Sequence, residues 1–302
     1  MPYLKGYGNF FLAFFQLLMF NICKYNKAGD IMFCSQAQED RIRSLLHNYA
    51  KDIDIEIVKE IGSTNDELKR QANAGQNEIK LLIAEKQTKG KGTKGRSFFS
   101  PAGSGCYMSF LFRPTYSPEE CTLLTTAAAT ATALAIESAT GNLRGTTGKK
   151  AQIKWVNDVY IDRKKVAGIL TEASLKKDGN GIDYVIVGIG VNINPPEGGF
   201  PAEIENIATS VITDEPMYIK NKLIAEIANA LIFYYKFFKK KLFIEEYKKR
   251  LFFLGEEITV TQGDKSYTAT AIDIDEQCHL IVRTAEGETK TLFSGEISIR
   301  LN

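Results

Sequence analysis

The sequence predicts an α+β protein followed by a small all-β domain, on three observations. Apolar runs of strand length alternate with amphipathic stretches of helical period from about residue 38 to residue 250. From Gly255 the pattern changes to short alternating segments broken at Gly263-Asp264 and Glu286-Gly287, the style of a small β-barrel. The chain's 302 residues also suffice for one large core and a smaller second one.

At the N-terminus, residues 10–20 read FFLAFFQLLMF, which is short of the about 20 apolar residues a membrane-spanning helix needs. Asn21-Ile22-Cys23-Lys24-Tyr25-Asn26 offers no small-residue cleavage site, so the stretch is read as a packed or poorly ordered extension. Met32 then opens a sequence of ordinary soluble character. Residues 38–51 carry Ile42, Leu45, Leu46 and Tyr49 at helical spacing and predict an amphipathic helix. Residues 54–61 predict a strand and residues 66–74 a helix, joined by Gly62-Ser63-Thr64-Asn65. Ser63 or Thr64 serves there as an N-cap, or the two hydroxyls and the amide form the polar wall of a pocket for a small neutral or anionic group.

Residues 79–85 predict a buried strand that feeds Gln87-Thr88-Lys89-Gly90-Lys91-Gly92-Thr93-Lys94-Gly95-Arg96-Ser97-Phe98. Interleaved glycines and cations make a loop whose backbone N–H groups can approach an anion closely. Gly90 to Gly95 matches G-x-G-x-x-G and Gly90 to Ser97 nearly matches a P-loop, but both motifs require a helix to begin at the loop. Pro101, Gly103 and Gly105 follow too soon for that. A solvated basic turn between two strands is the alternative.

Residues 106–113 predict a strand, and Ser117-Pro118-Glu119-Glu120 a capped helix start running to about Thr140. Residues 152–161 (QIKWVNDVYI) and 166–173 predict a hairpin; as one pleated strand the first run would put Lys154 and Val156 on one face, Trp155 and Asn157 on the other. A lysine and an Asn-Asp pair in so apolar a strand are costly to bury unpaired; they bind something charged or lie on an exposed edge. Residues 183–194 (DYVIVGIGVNIN) predict a strand whose Gly188 and Gly190 leave one face bare, for a flat ligand, a bulge or close helix packing. Helices are predicted over 217–238 and then to Arg250.

A net charge of +2 argues against a general nucleic-acid binder. Five scattered cysteines without C-x-x-C spacing indicate neither a disulfide framework nor a zinc site, and suit a reducing cytoplasm. The only histidines, His47 and His279, read as surface or packing residues, so a Ser-His-Asp or H-E-x-x-H site is not expected and the chemistry falls to Lys, Arg, Asp and Asn.

In chain order, Gly62-Ser63-Thr64-Asn65, the loop from Gln87 to Arg96, Lys154-Trp155-Val156-Asn157-Asp158 with Lys165-Val166-Ala167-Gly168-Ile169-Leu170, and Gly188-Ile189-Gly190-Val191-Asn192 together resemble the biotin protein ligase family. Ser294 to Arg300 looks like the end of that family's SH3-like domain, and the resemblance covers about residues 53–302. It implies a class II aminoacyl-tRNA-synthetase-like mixed sheet flanked by helices over 53–250, an SH3-like barrel over 251–302, and an extension with a short helix over 1–52. It further implies that MgATP activates the biotin carboxylate to biotinyl-5′-AMP, and that the acyl group passes to one lysine of a biotin carboxyl carrier protein in the cytoplasm.

Residue by residue, the resemblance implies that Ser63, Thr64 and Gln87 hold the ureido ring while Gly190 lies against it, with Asn65, Gly90 and Gly188 also among the binding residues. Lys165 holds the carboxylate and then the phosphate; Lys91, Gly92, Thr93 and Arg96 cover the adenylate. Asn157, Asp158 and Asn192 serve ATP and Mg²⁺, with Asp158 as metal ligand, and Arg300 reaches the nucleotide. Lys165, Arg96 and Asp158 are the expected catalytic residues. Where the family loop reads close to G-R-G-R-x-G-R-x-W, this chain has Lys91, Thr93 and Phe98, and losing the cation at Thr93 predicts looser retention of the adenylate. Val156 stands in place of the family's proline. No pair of amphipathic helices around a short glycine turn precedes Asp54, so neither the family's DNA-binding module nor DNA binding is expected; nor is a membrane, and a homodimer is left open. The alternatives are a lipoate or octanoate ligase of the same fold and a non-catalytic biotin- or nucleotide-binding regulator.

Overall fold

The structure is a computed structural model that describes residues 35–141, 150–179, 181–212, 219–293 and, by backbone alone, 297–301. The apolar stretch at 10–20 lies outside the described residues.

A seven-stranded mixed sheet has the order β1-β2-β3-β7-β6-β5-β4. Its strands are β1 (Asp54–Ile61), β2 (Lys80–Gln87), β3 (Gly105–Phe112), β4 (Gln152–Lys154), β5 (Asp158–Ile161), β6 (Lys164–Leu175) and β7 (Ile182–Asn192). Only β1 and β2 pair in parallel; the helix α2 (Thr64–Asn73) makes that crossover. The remaining neighbours are antiparallel.

The sheet's two faces have different fates because alternate residues point to opposite sides. One face, with Met108, Phe110, Phe112, Val185, Val187 and Ile189, is buried in the main core, which also takes in α4 (Leu123–Thr140) and α5 (Lys220–Lys236). Alanines over much of α4 are fully buried, which lets it approach α5 and the sheet closely. The short turn α3 (Pro118–Cys121) precedes it with a reciprocal cap: Ser117 Oγ accepts from the Glu120 N–H, and the Glu120 carboxylate accepts from the Ser117 N–H. The opposite face is covered only in part, by α2, whose Leu68 and Ala72 pack on Leu82, Leu111, Tyr184 and Ile186.

After α6 (Ile244–Arg250) come β8 (Glu257–Gln262), β9 (Lys265–Ile274), β10 (Leu280–Thr284), β11 (Thr289–Leu292) and β12 (Ile297–Leu301), a five-stranded antiparallel sheet of order β11-β10-β9-β8-β12. The all-β pattern expected from Gly255 is therefore present.

Two expectations need correction. The helix expected over 38–51 is α1 (Ser35–Leu45) followed by a separate turn over Asn48–Ala50. Asn229 of α5 ends it, accepting from the His47 N–H and donating to the Leu45 carbonyl. Residues 152–161 are not one strand but β4 and β5, paired with Lys154 opposite Asp158 around Trp155-Val156-Asn157. The turn is held from outside: Asn157 Nδ2 donates to Ile169 O (2.7 Å), Tyr247 Oη to Val156 O (3.0 Å) and Trp155 Nε1 to Cys278 O (2.9 Å).

Candidate functional site

Where α2 stops covering the sheet, its face continues as Ser109 on β3, Gly188 and Gly190 on β7, and Gly168 and Leu170 on β6. Three glycines on neighbouring strands leave the backbone bare there. They floor a cleft whose empty space, counted to its open mouth and including open solvent, is ≈ 470 Å³.

The start of α2 forms one wall. Ser63 occupies the N-cap position, yet its hydroxyl makes no cap bond, and Ser63, Thr64 and Asn65 are all buried and line the cleft. The polar-wall reading of this tripeptide therefore prevails over the capping one. Gln87, at the end of β2, accepts at Oε1 from the Thr64 N–H (2.9 Å) and hydroxyl (3.0 Å) and donates from Nε2 to Ser100 Oγ. Ser109 Oγ lies 2.7 Å from Thr64 Oγ1 and 2.6 Å from Asn65 Oδ1. Asn65 Nδ2 donates to Leu170 O and to Glu172 Oε2, and Glu172 also pairs with Lys69.

Lys165 stands at another wall, in ion pair with Asp158 at 2.7 Å. A β-bulge puts it there: β6 has one residue more than β5 between Lys165 and Ala167, which re-phases the strand and brings Lys165 to the side of Gly168. A Cβ on Gly168 would lie 3.1 Å from the Lys165 Nζ, so the amine rests on bare backbone. The neighbouring chain fixes the lysine's backbone, Lys165 N–H donating to Ile207 O and Thr209 N–H to Lys165 O.

The glycine-rich loop is a closed hairpin over the cleft, with Gly92 N–H donating to Arg96 O and Phe98 N–H to Gly90 O. A single 3₁₀ turn over Thr93–Gly95 lies within it, and no α-helix begins at it, as its sequence context requires. Lys91, Gly92 and Thr93 line the cleft, and Lys91 pairs with Asp66 of α2 at 2.5 Å. Phe98 turns inward, its ring where a Cβ on Gly190 would be, 2.5 Å from the nearest ring carbon.

The structure thus brings Ser63, Thr64, Asn65, Gln87, Lys91, Gly92, Thr93, Asn157, Lys165, Gly188 and Gly190 to one cleft. Asp158 reaches it through Lys165. Gly90 lies beneath the loop against Phe98 O and Ser100, and Arg96 is exposed; neither lines the cleft. Asn192 donates instead to Thr209 O. Arg300 is on β12 by its backbone, and its side chain lies outside what is described. Ser109, Gly168, Leu170 and Glu172 escaped the sequence reading; Gly168 and Leu170 stood in a quoted motif, but only the strand pairing puts them on the site's face.

Burial pushes the Cys106 thiol up to about 12, and neither histidine lines the cleft: His47 meets Tyr49 and His279 meets Asp275. Among the described residues no group of three or more His, Cys, Asp or Glu side chains could hold a metal ion, and no helix is long and apolar enough to cross a membrane.

Fold and cleft define a small-molecule-binding α+β protein with a hydrogen-bonding head and a cation at one site. A family model described as the biotin/lipoate A/B protein ligase family matches residues 58–192, and one for the biotin protein ligase C-terminal domain matches residues 253–300. The bifunctional ligase/repressor BirA of Bacillus subtilis is 31% identical over 248 residues, spanning 79% of this chain and 72% of that one. The biotin–[acetyl-CoA-carboxylase] ligase of Mycobacterium tuberculosis is 27% identical over 250 residues, 80% of this chain and 88% of that one. Among solved structures, the biotin protein ligase from Aquifex aeolicus in complex with biotin and ATP has a TM-score of 0.67 at 30% identity, covering 82% of this chain and 99% of that one. The chain belongs to the biotin/lipoate A/B protein ligase family, on its biotin protein ligase side.

Proposed function

We infer that this protein is a biotin protein ligase that activates biotin with MgATP to biotinyl-5′-AMP and transfers the biotinyl group to a lysine of a carboxyl carrier protein. The observation that carries this reading is the shared cleft: a hydrogen-bonding head at Ser63, Thr64 and Gln87, a bare floor at Gly188 and Gly190, and Lys165 in one cavity. Joining a carboxylate to an α-phosphate brings two anions together, so the protein's work is to hold them in line and supply fixed cations and N–H donors. No enzyme nucleophile is needed, in keeping with a cleft that neither histidine lines.

In this reading Ser63, Thr64 and Gln87 bind the ureido ring, with Asn65 beside them in the head of the cleft, and Lys165 leaves Asp158 for the carboxylate and then the phosphate. Gly90, Lys91, Gly92, Thr93 and Arg96 belong to the lid over the acyl-adenylate; Arg96, now exposed, turns in when phosphates are present. Asn157, Asp158, Asn192 and Arg300 serve the nucleotide. One carboxylate with phosphate oxygens and water is an ordinary magnesium environment, and Asp158 fits it once Lys165 has moved to the substrate. Residues 53–250 form the catalytic domain and residues 251–302 the small domain, and the cytoplasm is the fitting compartment.

Biotin-dependent ATP–pyrophosphate exchange tests the reading, with lipoate as the competing acid. Exchange with biotin, reduced roughly 100-fold or more in Lys165→Ala, is expected from removing one fixed charge donor at the reacting groups. Exchange with lipoate and none with biotin would overturn it.

A further inference from the structure

Asn65 is buried, and the orientation of its carboxamide is decided by chemistry. On one side lie the Glu172 carboxylate (2.8 Å) and the Leu170 carbonyl (3.3 Å), neither able to donate, so the NH₂ group must face them. The carbonyl oxygen then faces Ser109 Oγ at 2.6 Å. A Cβ on Gly188 would lie 2.2 Å from that oxygen, so the carboxamide fills the space the glycine leaves.

This orientation fixes the proton count of the cleft's head. The oxygens Asn65 Oδ1, Ser109 Oγ, Thr64 Oγ1 and Gln87 Oε1 form a row with contacts of 2.6, 2.7 and 3.0 Å. Two hydroxyl protons must serve three contacts. Turning Asn65 over would supply a third proton, at the cost of setting its oxygen against Glu172 and Leu170. A ligand N–H delivered to Gln87 Oε1 in place of the Thr64 hydroxyl frees the Thr64 proton for Ser109, so that Asn65 Oδ1, Ser109 Oγ and Gln87 Oε1 each receive one.

We propose that Glu172 is a positioning residue that holds Asn65 with its oxygen inward, making the head of the cleft a net acceptor that selects acids bearing N–H donors. Lys69 holds the carboxylate in place from α2. The inference deepens the biotin ligase reading and rests on it for the ligand: a cyclic urea offers two N–H donors, whereas a dithiolane or a saturated acyl chain offers none.

Pyrophosphate exchange with purified Glu172→Ala and Glu172→Gln is the test. Glu172→Ala should raise the KM for biotin about tenfold while the KM for ATP and kcat stay within twofold, the size of leaving one buried donor without its acceptor. Glu172→Gln, which can still accept from Asn65, should recover most of that loss. Equal rises in both KM values, a fall in kcat alone, or no change would overturn the proposal. A second readout needs no substrate: in ¹⁵N spectra of the free protein, the Asn65 side-chain amide, assigned with Asn65→Asp, should exchange slowly in the wild type and in Glu172→Gln and rapidly in Glu172→Ala. A rapidly exchanging amide in the wild type overturns the proposal even where Glu172→Ala fails to fold. Absence of biotin-dependent exchange by the wild type, with a protected amide, would remove the ligase reading and leave the positioning role standing.

Discussion

Gly188 and Gly190 stand two residues apart on one face of β7, and alanine should act differently at each. At Gly188 the new methyl meets a carboxamide fixed by three hydrogen bonds, so Gly188→Ala should destabilise the fold by about 1–3 kcal/mol in denaturant unfolding. At Gly190 it meets the edge of the Phe98 ring, which can swing away. Gly190→Ala should keep the fold within about 1 kcal/mol of wild type, yet weaken biotin binding about tenfold in titration calorimetry by raising the cleft floor. Thr93 lines the cleft, at the position where the resemblance to the family's loop would place an arginine. Thr93→Arg should slow release of biotinyl-adenylate, measured by stopped-flow; release as slow in the wild type as in Arg-bearing relatives would contradict the looser hold proposed for this chain. At this scale Lys165 was legible because its motif is local. Ser109 was not, since a serine inside an apolar strand reads as packing until the start of α2 is laid upon it.

Among the elements, the β4–β5 turn shows where a sequence pattern misleads. Ten apolar-rich residues read as one strand, because β-propensity registers pleating and is silent about a tight reversal lacking glycine or proline. The reversal is made by partners far along the chain, Tyr247 on α6 and the carbonyl of Cys278 between β9 and β10. Trp155→Phe leaves that buried carbonyl without its donor and should lower stability by about 1–3 kcal/mol in thermal or urea unfolding. Because the same turn carries Asn157, the KM for ATP should rise more than that for biotin. The end of α1 is a parallel case: helical spacing continues to Tyr49, but Asn229 takes the backbone groups at Leu45 and His47. By contrast β1, α2 and β3 were legible to within about two residues, because their boundaries are written in local alternation and polar breaks.

For the molecule as a whole, the buried Arg250 joins three parts of the fold, pairing with both Glu137 oxygens on α4 and with Glu246, and donating to Ala151 O ahead of β4. Burial by itself would raise the Glu137 carboxyl, but the hydrogen bonds and charge of Arg250 outweigh it and hold it below its ordinary range. A carboxyl depressed in the folded state contributes stability above its unfolded value and loses it as pH falls through the folded one. The melting temperature should therefore drop as pH falls below about 5, and Glu137→Gln should flatten that acid limb. By itself the sequence determined the element types, the all-β ending and the family, because periodicity, turn residues and motifs in fixed order are properties of neighbours along the chain. Only the tertiary structure decided which face of the sheet stays bare, that a bulge turns Lys165 to that face, that Phe98 lies on Gly190 and that Glu172 sets Asn65. Each of these depends on strand register and on contacts between residues distant in the chain, which local spacing does not encode.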